Sequence, residues 1–459
     1  MKVAKFGGTS LASAEQIRKV FRIVTSDPKR KIIVVSAPGK RYAKDTKITD
    51  LLIACGRAIL GHEEATFWLE QILDRYSEIA NELGLGNEII MDIRENLYRL
   101  VNNRKNDPLL FMEALKASGE DFHARLIARY FQKEGVEASY VHPAEAGLLL
   151  TGAPGNAKVL PESYGLLRRL RDRSGLIIFP GFFGSTKNGD ILTFSRSGSD
   201  ITGAILAVGV QAELYENFTD VDAVYSVNPA LIPHPKKIKE ITFREMRELS
   251  YAGFSVIHDE ALIPAFRAGI PVHIRNTNHP EAPGTKIVKT RQNTNGPVIG
   301  IASDSGFCSL FVSKYLMNRE LGFGRRLLQI LEDYQISFEH IPSGIDELTV
   351  ILREHQLTEA VKKDLIERIE KDLHPDSVAI EQHLSLIMMV GEGMRQTVGT
   401  AARAAKALSL SNINIEMINQ GSSEVSMMFG VKEAVEAEAV RALYHEFFET
   451  AHVGTTKNL

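Results

Sequence analysis

The sequence predicts an α/β fold: a mostly parallel sheet with helices on both faces, followed by two small α+β modules. Three observations carry that reading. Apolar runs of strand length alternate with helix-patterned stretches over roughly residues 1–290, a glycine turn joins the first strand to the first helix, and the last third of the chain repeats itself with a shift of 77 residues.

Residues 3–6 form the first short strand, Gly7-Gly8-Thr9-Ser10 a turn, and residues 13–25 a helix. Ser13 with Gln16 is a capping-box signature, and Ile17, Val20, Phe21 and Val24 give that helix one apolar face. Residues 31–36 are a continuous apolar run, the pattern of a strand covered on both faces in a parallel sheet. From 48 to about 135 the spacing is helical, with Phe122, Leu126, Ile127, Tyr130 and Phe131 on one face. Further strands are expected over 175–179, 212–218 and 270–274, and helices near 201–210, 243–251 and 259–268. Residues 276–297 then become polar and turn-rich, which marks a domain boundary.

Beyond that boundary, residues 322–352 superimpose on 399–429 without a gap. The matching pairs are Gly322/Gly399, Arg326/Arg403, Leu331/Leu408, Ile336/Ile413, Glu339/Glu416, Ile341/Ile418, Gly344/Gly421 and Glu347/Glu424. Each copy has the pattern helix, turn, strand, turn, strand, after a leading strand at 309–312 or 385–390. Two copies are too few for a solenoid, and each is large enough for a core of its own. A tandem of sensor-like modules behind an enzyme-sized domain points to regulation.

The chain has 459 residues, enough for roughly three domains of about 100–200 residues each. Its 54 Lys+Arg against 57 Asp+Glu give a formal charge of −3, so no broad basic surface argues for nucleic acid or an anionic membrane. Local phosphate sites stay open. Cys55 and Cys308 lie far apart and without CxxC spacing, which supports neither a disulfide framework nor a cysteine zinc site and fits a reducing compartment. There is no signal-peptide pattern and no apolar run of ~18 residues, so a cytoplasmic location is expected. Thirteen histidines include no HExxH, no metal-ligating residues are expected, and no GxSxG elbow supports a serine hydrolase.

Three clusters suit chemistry. In Lys5-Phe6-Gly7-Gly8-Thr9-Ser10 two glycines after a strand let backbone N–H groups face an anion that the lysine also reaches. It is neither a Walker A loop nor a dinucleotide GxGxxG, and a plain glycine turn has the same pattern. As an exposed strand-end residue, Lys5 is expected to add little stability. In Ser195-Arg196-Ser197-Gly198-Ser199-Asp200 the guanidinium suits a carboxylate, while Ser199 and Asp200 either meet a ligand or cap the helix that begins there. Thr219-Asp220-Val221-Asp222-Ala223-Val224-Tyr225 comes after a strand, where open α/β sheets bind ligands, and is equally consistent with a solvated turn.

Together these residues resemble aspartate kinase, of the amino-acid kinase superfamily, followed by paired ACT (ferredoxin-like) domains. The resemblance spans essentially the whole chain. It rests on the Lys5–Ser10 motif, Val34-Val35-Ser36-Ala37, Gly119-Glu120, Phe194 through Asp200, Phe218-Thr219-Asp220-Val221, and Val390-Gly391-Glu392-Gly393-Met394-Arg395 in that order. It implies a catalytic domain over 1–290, a first ACT domain over 305–380 and a second over 381–459 that borrows a strand from 297–304. It also implies a monofunctional enzyme without a fused homoserine dehydrogenase. That enzyme would use ATP and Mg²⁺ to phosphorylate the β-carboxylate of L-aspartate, opening lysine, threonine and methionine biosynthesis.

By the same resemblance, Lys5 contacts the transferring phosphoryl group, with Gly7 and Gly8 supplying amides. Glu120 pairs with the substrate ammonium and Arg196 with its α-carboxylate, while Ser36, Thr49 and Ser199 help hold aspartate. Asp200 organises the reacting centre, and Thr219, Asp220 and Tyr225 line the nucleotide site. The aspartate carboxylate is ionised near neutral pH and needs no general base, so the work is positioning and charge neutralisation. Met317, Gly322, Phe323, Gly324, Glu339 and Ser343 are the implied effector contacts, with lysine the first choice of effector and threonine the second. A homodimer or dimer of dimers is expected.

The chain departs from the family at Gly253-Phe254-Ser255-Val256, where a lysine is usual, and at Asn228-Pro229-Ala230, where an arginine is usual. Two phosphate-site cations are thus replaced. The long loop 38–47 carries Lys40, Arg41, Lys44 and Lys47, one of which is expected to compensate. The alternatives are a glutamate or carbamate kinase of the same fold, or an amino-acid-sensing protein whose kinase domain is catalytically weakened.

Overall fold

The computed structural model describes residues 1–102, 107–195, 197–254, 256–291, 296–421 and 425–449. The chain divides into two compact units: Met1–Val224, Lys237–Met246 and Ser255–Arg291 make the first, and Tyr225–Lys236, Arg247–Phe254 and Gln292–Leu459 the second. The main break falls inside the polar stretch 276–297, but two short segments upstream of it cluster with the C-terminal unit. Nothing in their composition sets them apart.

The first unit is built on an eight-stranded sheet. Its strands are β1 (Lys2–Phe6), β2 (Arg30–Val35), β3 (Ala138–Tyr140), β4 (Leu176–Pro180), β5 (Leu214–Thr219), β6 (Glu240–Thr242), β7 (Val272–Asn276) and β8 (Thr285–Val288), in the order β6-β8-β7-β5-β1-β2-β4-β3. Every pairing is parallel except β7 with β8. The strand edges extend or shift the expected ranges by one or two residues, whereas β3, β6, β8 and the hairpins Leu150–Ala153/Asn156–Val159 and Phe183–Ser185/Ile191–Thr193 carry too little pattern to be foreseen. Burial on both faces explains the unbroken apolar run of β2. Ala4, Phe6, Ile33 and Val35 pack into a core with helices α1 (Ala14–Thr25) and α5 (Pro108–Lys133). On the other face Tyr215 of β5 packs on helix α6 (Gly198–Gly209), where a side chain at Gly203 would strike the tyrosine ring at 2.6 Å.

Local chemistry sets the helix starts. Ser13 caps α1 by accepting from the Gln16 amide at 3.4 Å, and Asp107 caps α5 by accepting from Leu109 and Leu110. Between them the helical region resolves into α2 (Ile48–Leu60), α3 (Thr66–Glu82), α4 (Asn87–Asn102) and α5. Helix α5 spans 26 residues and is buried on nearly every side, so polar residues such as Glu120 and His123 lie sealed within it.

In the second unit one antiparallel six-stranded sheet runs through both expected modules. Its strands are β9 (Gly300–Ser313), β10 (Phe338–His340), β11 (Glu347–Arg353), β12 (Ser377–Val390), β13 (Met417–Asn419) and β14 (Ser426–Lys432), in the order β10-β11-β9-β12-β14-β13. Strands β9 and β12 have 14 residues each, longer than the expected 309–312 and 385–390. Residues 300–304 pair with 386–390, a bulge comes next, and the rest of β9 pairs with 377–384 and with β11. The repeat survives in helices α7 (Phe323–Asp333) and α8 (Thr400–Leu410), whose bounds are 77 residues apart. Each helix anchors its own apolar core. Glu424, one of the repeat-defining residues, lies outside the described residues.

Candidate functional site

Four adjacent parallel strands, β5, β1, β2 and β4, end on the same side of the first unit, and the residues beyond those strand ends enclose a cavity of about 410 Å³. The chain passes from β1 to β2 on one side and later returns to β5 on the other, so β1 is a topological switch point, the usual place for a ligand in such sheets. The cavity is lined by Lys5 near the end of β1 and Gly7 and Gly8 just after it, Ser36 after β2, Ser199 and Asp200 at the start of α6, and Thr219 and Asp220 at the end of β5. Thr49 of α2, Glu120 of α5 and the loop residues Gly39 and Lys47 line it as well. Motif residues from Lys5 to Asp220, far apart in the chain, are thereby brought to one place.

Lys5 is not an exposed strand end. It is only 7% accessible, and its ammonium pairs with the Asp200 carboxylate at 2.6 Å. Asn217 of β5, directly opposite Lys5 in the sheet, donates to the same Asp200 oxygen at 2.7 Å. Asp200 does more than start a helix, and Asn217 is a site residue that strand periodicity alone hides. The two glycine amides are not equivalent: Gly7 N–H is spent on the Phe218 carbonyl at 3.1 Å, so Gly8 is the better anion donor of the pair.

The turn is held shut by Gly39, a residue that sequence reasoning missed. Its N–H donates to the Gly8 carbonyl at 2.9 Å, and a Cβ there would lie 2.5 Å from the Gly8 carbonyl carbon and 2.7 Å from the Thr9 nitrogen. Those neighbours are backbone and cannot swing aside. Gly39→Ala is therefore expected to force the two loops apart, costing about 1–3 kcal/mol in thermal unfolding and most of the activity. A variant with the melting temperature and turnover of the unsubstituted chain would show that the close approach is not needed. Farther along the same loop, Arg75 bonds the Gly39 carbonyl at 3.2 Å and Asp45 at 2.8 Å. Burial alone would raise the Asp45 carboxyl, but hydrogen bonds from Arg41 and the charge of Arg75 hold it well below the usual range.

Glu120 is fully enclosed. Burial pushes its carboxyl up to about 8, opposed by a hydrogen bond from the Ala37 amide, and its Oε2 has no partner among the described residues. A buried oxygen beside a cavity with no donor is what a cationic ligand group would satisfy.

Some expected residues fall elsewhere. Arg196 and Ser255 lie outside the described residues. Tyr225 belongs to the second unit and is absent from the lining of the cavity. Ala230 also lies in the second unit, where its N–H bonds the Asn228 side chain. Asp222 turns away to Asn276, Lys237 and His279, at 2.8, 3.0 and 2.9 Å. Of the four loop cations, Arg41 is taken by Asp45 and Glu78 while Lys47 lines the cavity.

The expected effector residues all lie in the second unit. Met317 and Phe323 pack into the apolar core under α7 and are mostly buried, at 8% and 3% exposure. Glu339 is held by Arg353 at 3.1 Å and by the Tyr251 hydroxyl. Gly322, Gly324 and Ser343 remain accessible or partly so.

A family model described as the amino acid kinase family matches residues 1–276, and an ACT domain model matches 387–447. The chain is 66% identical over 448 residues to Aspartokinase 3 of Bacillus subtilis strain 168, covering 98% of this chain and 99% of that one. Among solved structures it is similar to the Clostridium acetobutylicum aspartate kinase, at 37% identity and TM-score 0.87 over 97% of this chain and all (100%) of the other. It is also similar to E. coli aspartokinase III, at 26% identity. Its complex with aspartate and ADP (R-state) gives TM-score 0.77 over 97% of this chain and 99% of the other, and its complex with lysine and aspartate (T-state) gives 0.75 over 98% and 99%.

Proposed function

Because the chain belongs to the amino acid kinase family, in its aspartokinase branch, we propose that the cavity at the strand ends holds L-aspartate beside the terminal phosphate of ATP. The observation that carries this reading is the unpartnered Glu120 oxygen in the same cavity as the Lys5–Asp200 pair: one group awaits a cation, the other presents one. Glu120 then receives the substrate ammonium and Arg196 its α-carboxylate, while Ser36, Thr49 and Ser199 fix the remainder. Lys5 and the Gly8 amide meet the phosphoryl oxygens, Asp200 with Asn217 holds Lys5 in place, and Thr219, Asp220 and Tyr225 serve the nucleotide. The nucleophile is already a carboxylate, so turnover depends on alignment and on offsetting the repulsion between two anions in a loose transition state.

No group of three or more His, Cys, Asp or Glu side chains that could hold a metal occurs among the described residues. Magnesium is accordingly assigned to the nucleotide phosphates, the usual arrangement for an ion that keeps few protein ligands. Lys47 lines the cavity, which supports it as the loop cation that replaces the family's missing positive charge. Lys47→Gln is expected to raise the KM for ATP about tenfold with the KM for aspartate little changed. Steady-state kinetics in both substrates tests this, and an unaltered KM for ATP rejects the compensation.

The functional plan is a catalytic domain over 1–290, a first ACT domain over 305–380 and a second over 381–459 with a strand from 297–304. Lysine feedback through the second unit is inferred by analogy with the lysine complex of E. coli aspartokinase III. A homodimer or dimer of dimers is supported by large apolar side chains left open there, Tyr315 at 73% and Leu321 at 98% exposure among them. No helix among the described residues is long and apolar enough to cross a membrane, and a cytoplasmic enzyme is proposed. Trapping the acyl phosphate with hydroxylamine in the presence of ATP, Mg²⁺ and aspartate tests the activity, with glutamate and carbamate run in parallel. Absence of hydroxamate with aspartate alone of the three would reassign the substrate, and lysine and threonine titrations would identify the effector.

A further inference from the structure

Helix α5 carries a second buried titratable residue to which the proposed reaction gives no role. His123 is fully buried one turn beyond Glu120, its Nδ1 lies 2.9 Å from the Ser36 carbonyl oxygen, and its Nε2 has no partner among the described residues. A carbonyl only accepts, so Nδ1 carries the proton and donates. The neighbouring Ala37 N–H donates to Glu120. Ser36 C=O and Ala37 N–H are the two ends of a single peptide group, and in a trans peptide they point in opposite directions. Two side chains one helical turn apart therefore grip one peptide plane from both sides.

We propose that His123 is a positioning residue for recognition of the amino-acid substrate: with Glu120 it clamps the Ser36–Ala37 peptide, fixing both the Ser36 side chain and the free Glu120 oxygen at the cavity wall. The inference rests on the assignment of Glu120 and Ser36 to aspartate. Tyr76 steadies the arrangement, its hydroxyl donating to the Gly119 carbonyl at 2.8 Å and its ring meeting the imidazole edge-on with centroids 6.2 Å apart. Burial lowers the imidazole to about 4, opposed by the Ser36 hydrogen bond, so the neutral donor form persists at physiological pH.

The test compares His123→Leu, His123→Asn and His123→Gln in the full chain. Leucine removes the donor, asparagine returns one at the Nδ1 position, and glutamine places it where Nε2 was. The leucine variant is expected to raise the KM for aspartate about tenfold while the KM for ATP stays within about twofold. Asparagine should recover most of the loss and glutamine little of it. A folded leucine variant with the original KM for aspartate overturns the inference, as do asparagine and glutamine variants that behave alike. The asparagine and glutamine pair decides the matter even where leucine prevents folding. Failure of the unsubstituted protein to make an acyl phosphate from aspartate would remove the functional assignment itself, whereas an active protein indifferent to His123 removes this inference alone.

Discussion

Replacing Lys5 with methionine is expected to lower kcat about a hundred- to a thousandfold while changing the KM for aspartate little. The ammonium stands in the cavity at the turn after β1, and methionine keeps most of its volume while removing that charge. Its effect belongs to the transition state, where negative charge spreads over the phosphoryl oxygens, more than to the ground state. Stability also falls, contrary to what an exposed strand-end lysine implies, because Asp200 loses its 2.6 Å partner and keeps Asn217 alone. The loss should stay below the about 3–5 kcal/mol of a sealed pair, since Asp200 borders the cavity and water can reach it. Single-turnover hydroxamate formation and thermal unfolding measure the two effects separately. Turnover near that of the unsubstituted chain would remove Lys5 from the chemistry.

The parts legible in the sequence are those whose physics is local. A continuous apolar run announces β2, helical spacing and a serine cap announce α1, and paired glycines after a strand mark a turn able to face an anion. Most motif residues at the strand ends converge because a parallel sheet brings the C-terminal ends of its strands, and the loops they lead into, to one side. The residues that escaped notice act through distance in the chain. Gly39 matters because it touches Gly8, Asn217 because β5 lies beside β1, and His123 because α5 passes under the end of β2. None of these has a sequence-local signature: a glycine in a polar loop, an asparagine in a strand and a histidine in a helix are all ordinary. The burial of two expected effector residues escaped the sequence for the converse reason. A position beside a turn looks accessible in sequence, yet Met317 and Phe323 are where the turn packs onto its own core. A strand that serves two modules, as β9 does, likewise cannot be divided by reading a repeat, because register with β12 decides which half belongs where.

Glu120→Gln should reduce kcat/KM for aspartate about a hundred- to ten-thousandfold, mostly through KM, because glutamine offers the ammonium no charge and turns an N–H donor toward it. The variant also tests a proton linkage. With its carboxyl raised by burial to about 8 from an ordinary value of 4.5, folded Glu120 binds a proton that the unfolded chain releases over that interval. The contribution of Glu120 to stability without ligand then falls as pH rises from about 4.5 to 8, against an opposite contribution from His123 between about 4 and 6.5, so Glu120→Gln should remove the fall and be the more stable form at pH 8. Aspartate reverses the balance, since its ammonium favours the carboxylate and drives the proton off. The surrounding groups, Tyr76 and His123, are themselves held neutral by burial and supply no compensating charge. Calorimetry of aspartate binding near pH 7, in buffers of different ionisation enthalpy, should detect release of up to about one proton per site. That release should vanish in the variant. Binding without proton release, or a glutamine variant that uses aspartate as well as the unsubstituted enzyme, would mean that the ammonium is held by some other group and that the orphaned oxygen of α5 has no part in choosing the substrate.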